Sequence, residues 1–438
     1  MLTFLYFELR ALFAHTFVWI LVGLLAVLMW FAIYNGYKRV EAQKALIQEV
    51  KQSEKRFYEK NSLALDSIER GLRPAIPEPL WYTNPANPLP IGAFRGAGKY
   101  GVLPPAPFAL VSTGQSDLFP FYSKVAIGSV NVSKDNEHFE NPFHTATGQF
   151  DLVFVCVFIL PLLIIATSYN ILSAEYEQGT WQVLRAMPID MRRWLAQKVL
   201  FRYAFFTALC SLLLGICLSL YAVPVGKTEM AWLLCGLAFY MAFWFAVGFG
   251  VNLWSRSSAN NALILLGAWL LFAVVLPSTA HLLATYLYPV PSRVVYVNAL
   301  RQAERKAEKE ESKILDAFYA KNPQLTRKTN EAEKKWRDVW YERLAVMEYD
   351  QKLQQDIQES FAQKASAQRQ FAQYFAYASP AILLQNHFNS IAQTDTQTYL
   401  KFQEQLKSYE KRWTAYFKEK FMQNKKLTAK DYSQFPSF

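Results

Sequence analysis

Leu152-Val-Phe-Val-Cys-Val-Phe-Ile-Leu-Pro-Leu-Leu-Ile-Ile-Ala-Thr-Ser-Tyr169 runs from end to end without a charged side chain. A stretch of this length and polarity reads as a helix crossing a hydrocarbon core, which takes about 20 apolar residues with allowance for tilt. Four further runs match it, at 16–34, 199–223, 230–253 and 262–287. The chain of 438 residues is 52% hydrophobic and only 18% charged. Those averages hide two populations, the five nearly uncharged runs and a richly charged remainder. The expected fold class is an α-helical polytopic membrane protein with about five transmembrane helices, a mixed proline-rich domain and a long-helical domain.

Downstream of Tyr169 lies Glu175-Tyr-Glu-Gln-Gly-Thr-Trp-Gln-Val-Leu-Arg-Ala-Met-Pro-Ile-Asp-Met-Arg-Arg-Trp-Leu-Ala-Gln-Lys198. It is short, amphipathic and punctuated by a glycine and a proline, and it gathers Arg185, Arg192, Arg193 and Lys198. Short basic connections favour the cytoplasmic side. The connection at 255–261 is also net basic and lies an even number of crossings away. This predicts a cytoplasmic N-terminus, with both large segments on the opposite side. The boundaries follow: 1–36 an initial helix and first span, 37–150 a first extracytoplasmic domain, 151–170 the second span, 171–198 the cytosolic segment, 199–287 spans three to five, and 288–438 a second, helical extracytoplasmic domain. Residues 2–14 carry Glu8 and Arg10 and admit two readings, an interfacial helix or the start of the first span. The tyrosine-rich stretch after the first run is no small-residue cleavage site, so a removable leader is not expected.

The first large segment has two textures. Residues 37–70 are charged, with apolar positions at helical spacing, and continue the first span out of the membrane. Residues 71–120 hold prolines from Pro74 to Pro120 too densely for regular helix. Their aromatic side chains point to ordered packing. In the second segment, helix is expected over 297–320 up to Asn322-Pro323, over 325–377 before Pro380, and again after Asp395 as an N-cap. A narrow apolar stripe on the long middle helix (Trp336, Trp340, Leu344, Met347, Leu353, Ile357, Phe361) predicts an antiparallel partner.

Several chemistries find no support in these residues. Gly92-Ala-Phe-Arg-Gly-Ala-Gly-Lys99 imitates a phosphate-binding loop, but it is one residue too long and lacks Ser or Thr after the lysine. Any ATP would therefore be bound, with its Mg, by another subunit, and no cofactor is expected in this chain. The histidines are scattered, and His138 and His144 read as solvated loop residues beside Asp135, Glu137 and Glu140, so no metal site is expected. Cys156, Cys210, Cys217 and Cys235 all fall within the apolar runs, without ligand spacing. No catalytic constellation appears, so the chain is not expected to be an enzyme. The net charge of +11 is spread over interleaved helical faces rather than basic blocks, which argues against nucleic acid. Asp151 marks the outer edge of the second span. Ser278, Thr279 and His281 follow Pro277 within the fifth and are candidate pathway residues, or simply packing groups.

The pattern Glu175-x-Glu177-x-Gly179-Thr180-Trp181-x-x-Leu184-Arg185-x-x-Pro188, with Arg192, Arg193 and Lys198 following, resembles the cytosolic signature of ABC-2 type permeases. Pro104-Pro-Ala-Pro107, Gly114-Gln-Ser-Asp117, Asn141-Pro142, Gly148-Gln-Phe-Asp-Leu-Val-Phe154, Ser379-Pro380 and Phe435-Pro436 extend the resemblance to a subgroup with large extracytoplasmic domains after the first and fifth spans. The resemblance implies a coupling helix that docks on a cytosolic ABC ATPase dimer, and a second permease subunit, identical or similar. It also implies a multi-pass place in a bacterial inner membrane, with the large domains in the periplasm and lipid around the spans. The family pattern has six spans, and the sixth would follow the second domain, where no further apolar run is found. The expected function is substrate export, or force transmission into the periplasm, driven by the partner's ATP hydrolysis. The alternative is a non-transport scaffold or sensor whose long helices bind a periplasmic protein.

Overall fold

A computed structural model describes residues 8, 10, 16–74, 76, 82–93, 98–116, 119–127, 150–186, 188, 190–221, 223, 226–254, 257–323, 325, 336–423 and 425–438. Most of residues 2–14, together with His138 and His144, lie outside them. Among the described residues, five helices are long and apolar enough to cross a membrane, as the sequence predicts.

The first, α1 (Thr16–Glu69), runs unbroken for 54 residues, about 80 Å at helical rise. Its buried positions Val18, Leu25, Met29, Ala32, Gly36, Val40 and Ile47 recur at three, four or seven residues and so form one stripe. Further along, Tyr58 and Leu65 enter a second core. At Gly36 the backbone of Leu110 comes so close that a Cβ would lie 1.8 Å from its carbonyl oxygen. One turn later Arg39 donates to the carbonyls of Ala109 and Ser112 and to Ser116 Oγ. Glycine and arginine thus fasten the proline-rich segment to α1.

That segment contains α2 (Pro88–Ala93), a single turn at Pro107–Leu110, and the antiparallel strands β1 (Lys99–Val102) and β2 (Tyr122–Val125), with Lys99 opposite Val125. Asp151 closes it, capping the next span by accepting from Phe154 N at 2.8 Å and from Thr113 N at 2.9 Å.

That span, α3, comprises Leu152–Phe154, a π-turn over Val155–Ile159, and Leu160–Ser168. Two short helices follow, α4 (Ser173–Glu177) and α5 (Trp181–Ala186). The next spans are α6 (Met191–Leu220), α7 (Lys227–Trp254), and α8, which joins Ser258–Trp269, a π-turn over Leu270–Val275, and Leu276–Leu287. Two thirds of the apolar window of α3 is buried within the chain (67%), against 11% for α8. The second span is therefore the centre of the bundle, and α8 stands at its edge.

Beyond α8 come α9 (Arg293–Lys309), α10 (Glu311–Lys321) and α11 (Trp336–Ala376). The sequence predicts one helix over 297–320, whereas the structure breaks it at Glu310. The backbone there leaves the helical region (φ −94°, ψ 8°), and the Glu310 carboxylate accepts from Tyr349 Oη at 2.8 Å. The expected antiparallel partnership of α11 is present. Tyr288 meets Phe371, Tyr296 meets Phe361, and Glu310 meets Tyr349, so one number rises as the other falls.

An element that sequence reasoning did not separate is α12 (Pro380–Ala392), N-capped by Ser379 and closed by left-handed Gln393. Its Ala381, Leu384 and Phe388 join the same apolar cluster as the spans. Asp395 then caps α13 (Thr396–Met422), as predicted, accepting from Thr398 N. One face of α13 (Tyr399, Phe402, Leu406, Tyr409, Trp413, Phe417, Phe421) forms the second core together with Tyr58, Leu65, Leu89, Ile91 and Phe435. This distal domain draws on both ends of the chain, which explains why α1 extends so far.

A final turn, α14 (Asp431–Gln434), anchors the second core. The Asp431 carboxylate accepts from Thr428 N, Thr428 Oγ1 and Tyr416 Oη and pairs with Lys420 Nζ at 2.6 Å. Burial pushes this carboxyl up, but the Lys420, Thr428 and Tyr416 donors outweigh it and hold it below the usual carboxylate range. Its stabilisation is therefore complete above the ordinary carboxylate pKa, and it is lost as pH falls through the lowered value. Melting curves from pH 7 down to pH 3 should show this loss in the native chain. Asp431→Asn should cost about 1–3 kcal/mol at neutral pH and flatten the acid dependence. An unchanged acid slope would remove Asp431 from the account.

Candidate functional site

The 170–198 segment folds because its few polar side chains each have a partner. After α4, Gly179 takes φ +76°, a left-handed position that suits glycine, and ends the helix. Thr180 Oγ1 then donates back to the Glu175 carboxylate and to the Glu175 carbonyl. Trp181 stacks on Tyr176 with ring centroids 4.1 Å apart. Together these contacts fold α5 back onto α4. Pro188 is exposed, and Asp190 caps α6 by accepting from Arg192 N. Met187 and Ile189 lie outside the described residues.

The two glutamates of the signature reach in different directions. Glu177 accepts from both the backbone N–H (2.8 Å) and the hydroxyl (2.9 Å) of Ser258, at the start of α8. A carboxylate on the first turn of a helix is favoured by its free amides and its dipole. Glu175 pairs with Lys198 on α6 at 3.4 Å, and Lys198 also meets Glu8 at 3.4 Å and lies over the Trp194 ring at 4.1 Å. These three charged side chains are mostly covered, so salt screens them less than surface pairs. The guanidinium of Arg202, one turn deeper, donates to the Thr167 carbonyl at the end of α3.

Beneath this layer lies a belt of small polar groups. Asn252 on α7 donates to the carbonyls of Ser168 (2.9 Å) and Gly248 (2.8 Å) and accepts from Leu172 N at 3.1 Å. Asn261 on α8 donates to the Tyr169 carbonyl at 3.0 Å, and Ser173 Oγ meets Ser258 Oγ at 2.8 Å. Segment 170–198 is thereby bonded to α6, α7 and α8 at once.

The expected coupling residues thus divide into two sets. Glu175, Trp181 and Lys198 are half-buried, and Glu177 and Thr180, although exposed, are bonded to Ser258 and Glu175; these five hold the segment in place. Gly179, Arg185, Pro188, Arg192 and Arg193 are exposed, and Leu184 is half-buried. Val183, 61% exposed, adds an apolar side chain to the outward face, and no residue of α5 is buried. The exposed face is therefore a short helix with an aliphatic patch flanked by three arginines. Sequence reasoning missed Ser258, Asn252, Asn261, Ser173 and Glu8. Small polar residues at span ends are too common to stand out, and only the fold shows them converging.

The candidate pathway residues do not come together. Ser278 and His281 are exposed on α8, and Thr279 Oγ1 donates to its own helix at Val275 and Leu276. No group of three His, Cys, Asp or Glu side chains able to hold a metal ion occurs among the described residues.

Residues 106–254, from the proline-rich turn to the end of α7, match a family model described as ABC-2 membrane transporter related. Residues 293–438, from α9 to the last residue, match a domain of unknown function, DUF3526. No curated protein and no solved structure matches the chain. The first match covers the α3–α7 bundle with its 170–198 segment, and the second covers the helical part of the distal domain. The chain is thus a helical polytopic membrane protein that carries an ABC-2 membrane transporter related domain over 106–254, consistent with an ABC-2 type permease, and a DUF3526 domain after its fifth span.

Proposed function

We propose that the chain is the transmembrane subunit of an ATP-driven ABC-2 type transporter, and that α4–α5 with the start of α6 is the surface on which a cytosolic ABC ATPase dimer pushes. One observation carries this reading. The segment is solvent-facing on one side and hydrogen-bonded or ion-paired to three spans on the other, through Glu177–Ser258, Glu175–Lys198 and Asn252–Leu172. A push on the exposed face thus has a direct route into the bundle. In this reading ATP and Mg sit in the partner, the N-terminus is cytoplasmic, and the distal domain stands in the periplasm of a bacterial inner membrane. A second permease subunit, identical or similar, completes the complex with lipid around it. The output is substrate export or force delivered to a periplasmic component.

The test uses the tagged full chain extracted from native membranes, with bound P-loop ATPase and vanadate-sensitive ATP hydrolysis as readouts. Val183→Asp combined with Arg192→Glu and Arg193→Glu should lower recovered ATPase at least about tenfold, a loss of roughly 1.4 kcal/mol or more in association. Because these side chains are exposed, the melting temperature of the chain should not move. Recovery of ATPase at the native level would refute the docking surface. A chain that brings down only periplasmic proteins would favour the scaffold reading.

A further inference from the structure

Both π-turns among the described residues sit directly before a proline, and the pairing has a physical consequence. A π-turn bonds each amide to the carbonyl five residues back, as Leu160 N does to Val155 O and Leu276 N to Leu271 O. The next residue in each case is proline, Pro161 and Pro277, which has no amide hydrogen to donate. At α8 the amide that would reach Phe272 O in the π register belongs to Pro277. At α3 the amide that would reach Val157 O in the α register belongs to Pro161. Water is not at hand in a hydrocarbon core, so such carbonyls need donors from elsewhere in the protein.

Side chains from elsewhere donate to both of these carbonyls, and another to their neighbour Phe158 O. Tyr240 Oη on α7 donates to Val157 O at 2.8 Å, and Trp269 Nε1 on α8 donates to Phe158 O at 3.1 Å. Ser379 Oγ, at the foot of α12, donates to Phe272 O at 2.9 Å. The third donor is unlike the other two, because α12 belongs to the DUF3526 domain rather than to a span. Ser379 is fully buried there. Further up, His387 bonds the Trp232 carbonyl on α7 at 2.8 Å, across a contact so close that a Cβ at Gly236 would lie 2.3 Å from the imidazole. At its far end Asn389 accepts from Ser112 of the proline-rich segment.

We propose that α12 is a clasp that sets the bend of α8: Ser379 holds the Phe272 carbonyl orphaned by Pro277, so that the position of the distal domain and the kink in the fifth span are one coupled variable. Helices bend at π-bulges and prolines, and α8 has both within one turn. Few residues of α8 are fully buried, and its outer end is touched by α11, where Tyr288 meets Phe371 and its carbonyl accepts from Gln368. The clasp supplies the constraint from outside. When it is engaged α8 is held in the present bend, and when α12 withdraws together with the end of α11 that leads into it, the outer arm of α8 is free to swing. This inference does not depend on an ATPase partner.

The test places spin labels on the full chain in lipid nanodiscs, with Cys235→Ser removing the exposed native thiol. One pair, Tyr286→Cys with Leu220→Cys, reports the outer arm of α8. Another, Leu263→Cys with Leu200→Cys, reports the inner half, and all four sites are exposed. The outer arm is about 20 Å long, so a bend change of about 20° moves its end by about 7 Å. Ser379→Ala should shift or broaden the outer-pair distance on that scale and leave the inner pair alone. Ser379→Thr, which keeps the hydroxyl, should look native. The decisive variant adds Pro277→Ala to Ser379→Ala, restoring an amide to the orphaned carbonyl, and should return the outer distance to its native value. A native distance distribution in Ser379→Ala would overturn the clasp. So would a shift that Pro277→Ala fails to rescue, because lost packing rather than the carbonyl would then be responsible.

Discussion

Gly36→Val is expected to lower the stability of the chain by about 3 kcal/mol, the range for forcing atoms into a closed contact. A Cβ there would lie 1.8 Å from the Leu110 carbonyl oxygen and 2.7 Å from its carbon, and both atoms are backbone. No rotamer change relieves such an overlap, so α1 and the Pro107–Leu110 turn must separate. The separation also pulls the Ala109 and Ser112 carbonyls away from Arg39, one turn along. Gly36→Ala makes the argument sharper. In an unconstrained helix that change stabilises by about 1 kcal/mol, so the close approach and the helix preference have opposite signs. A fall in melting temperature for both variants, larger for valine, is the expected result in detergent or nanodiscs. A rise for alanine would mean that the turn and α1 are not in contact.

Asn252→Leu should cost about 2–4 kcal/mol and loosen the segment that faces the proposed partner. Leucine keeps the branched heavy-atom shape of asparagine, so the change removes three hydrogen bonds without opening a cavity. Polar contacts between membrane helices contribute about 0.6 kcal/mol each on average, and about 1.7 at most. The Leu172 amide and Ser168 carbonyl would then be left buried without this partner, which raises the cost. Two readouts separate this from a general loss of packing. Melting temperature should fall, and trypsin should cut at Arg185, Arg192 or Arg193 severalfold faster while sites in the distal domain keep their native rates. Equal acceleration everywhere would argue against a local role for Asn252.

The spans were legible because a hydrocarbon core imposes one simple demand, a long run without charge, and the 152–169 run meets it without help from tertiary structure. The same holds for Asp151 and Asp395, since an N-cap is a local event. The Glu310 break was hidden because it depends on Tyr349, a partner 39 residues away. The separate identity of α12 was hidden because Pro380–Ala392 is too short to register as a span, and Gln393, not glycine, takes the left-handed position that ends it. At the 170–198 segment the sequence revealed composition but not direction. It named Glu175, Glu177 and the arginines together, whereas in the fold the glutamates bond to Lys198 and Ser258 and the arginines lie exposed. Orientation of that kind depends on Ser258 and Glu8, which lie far away in the chain.

The unbroken length of α1 has a mechanical consequence. Its lower part packs on the spans and its upper part, at Tyr58 and Leu65, is embedded in the distal core, with no proline anywhere between. A rod of about 80 Å that tilts by about 5° at one end carries its other end through about 7 Å. The chain therefore contains a lever with built-in angular gain, and small rearrangements among the spans appear at its far tip as displacements the size of a side chain.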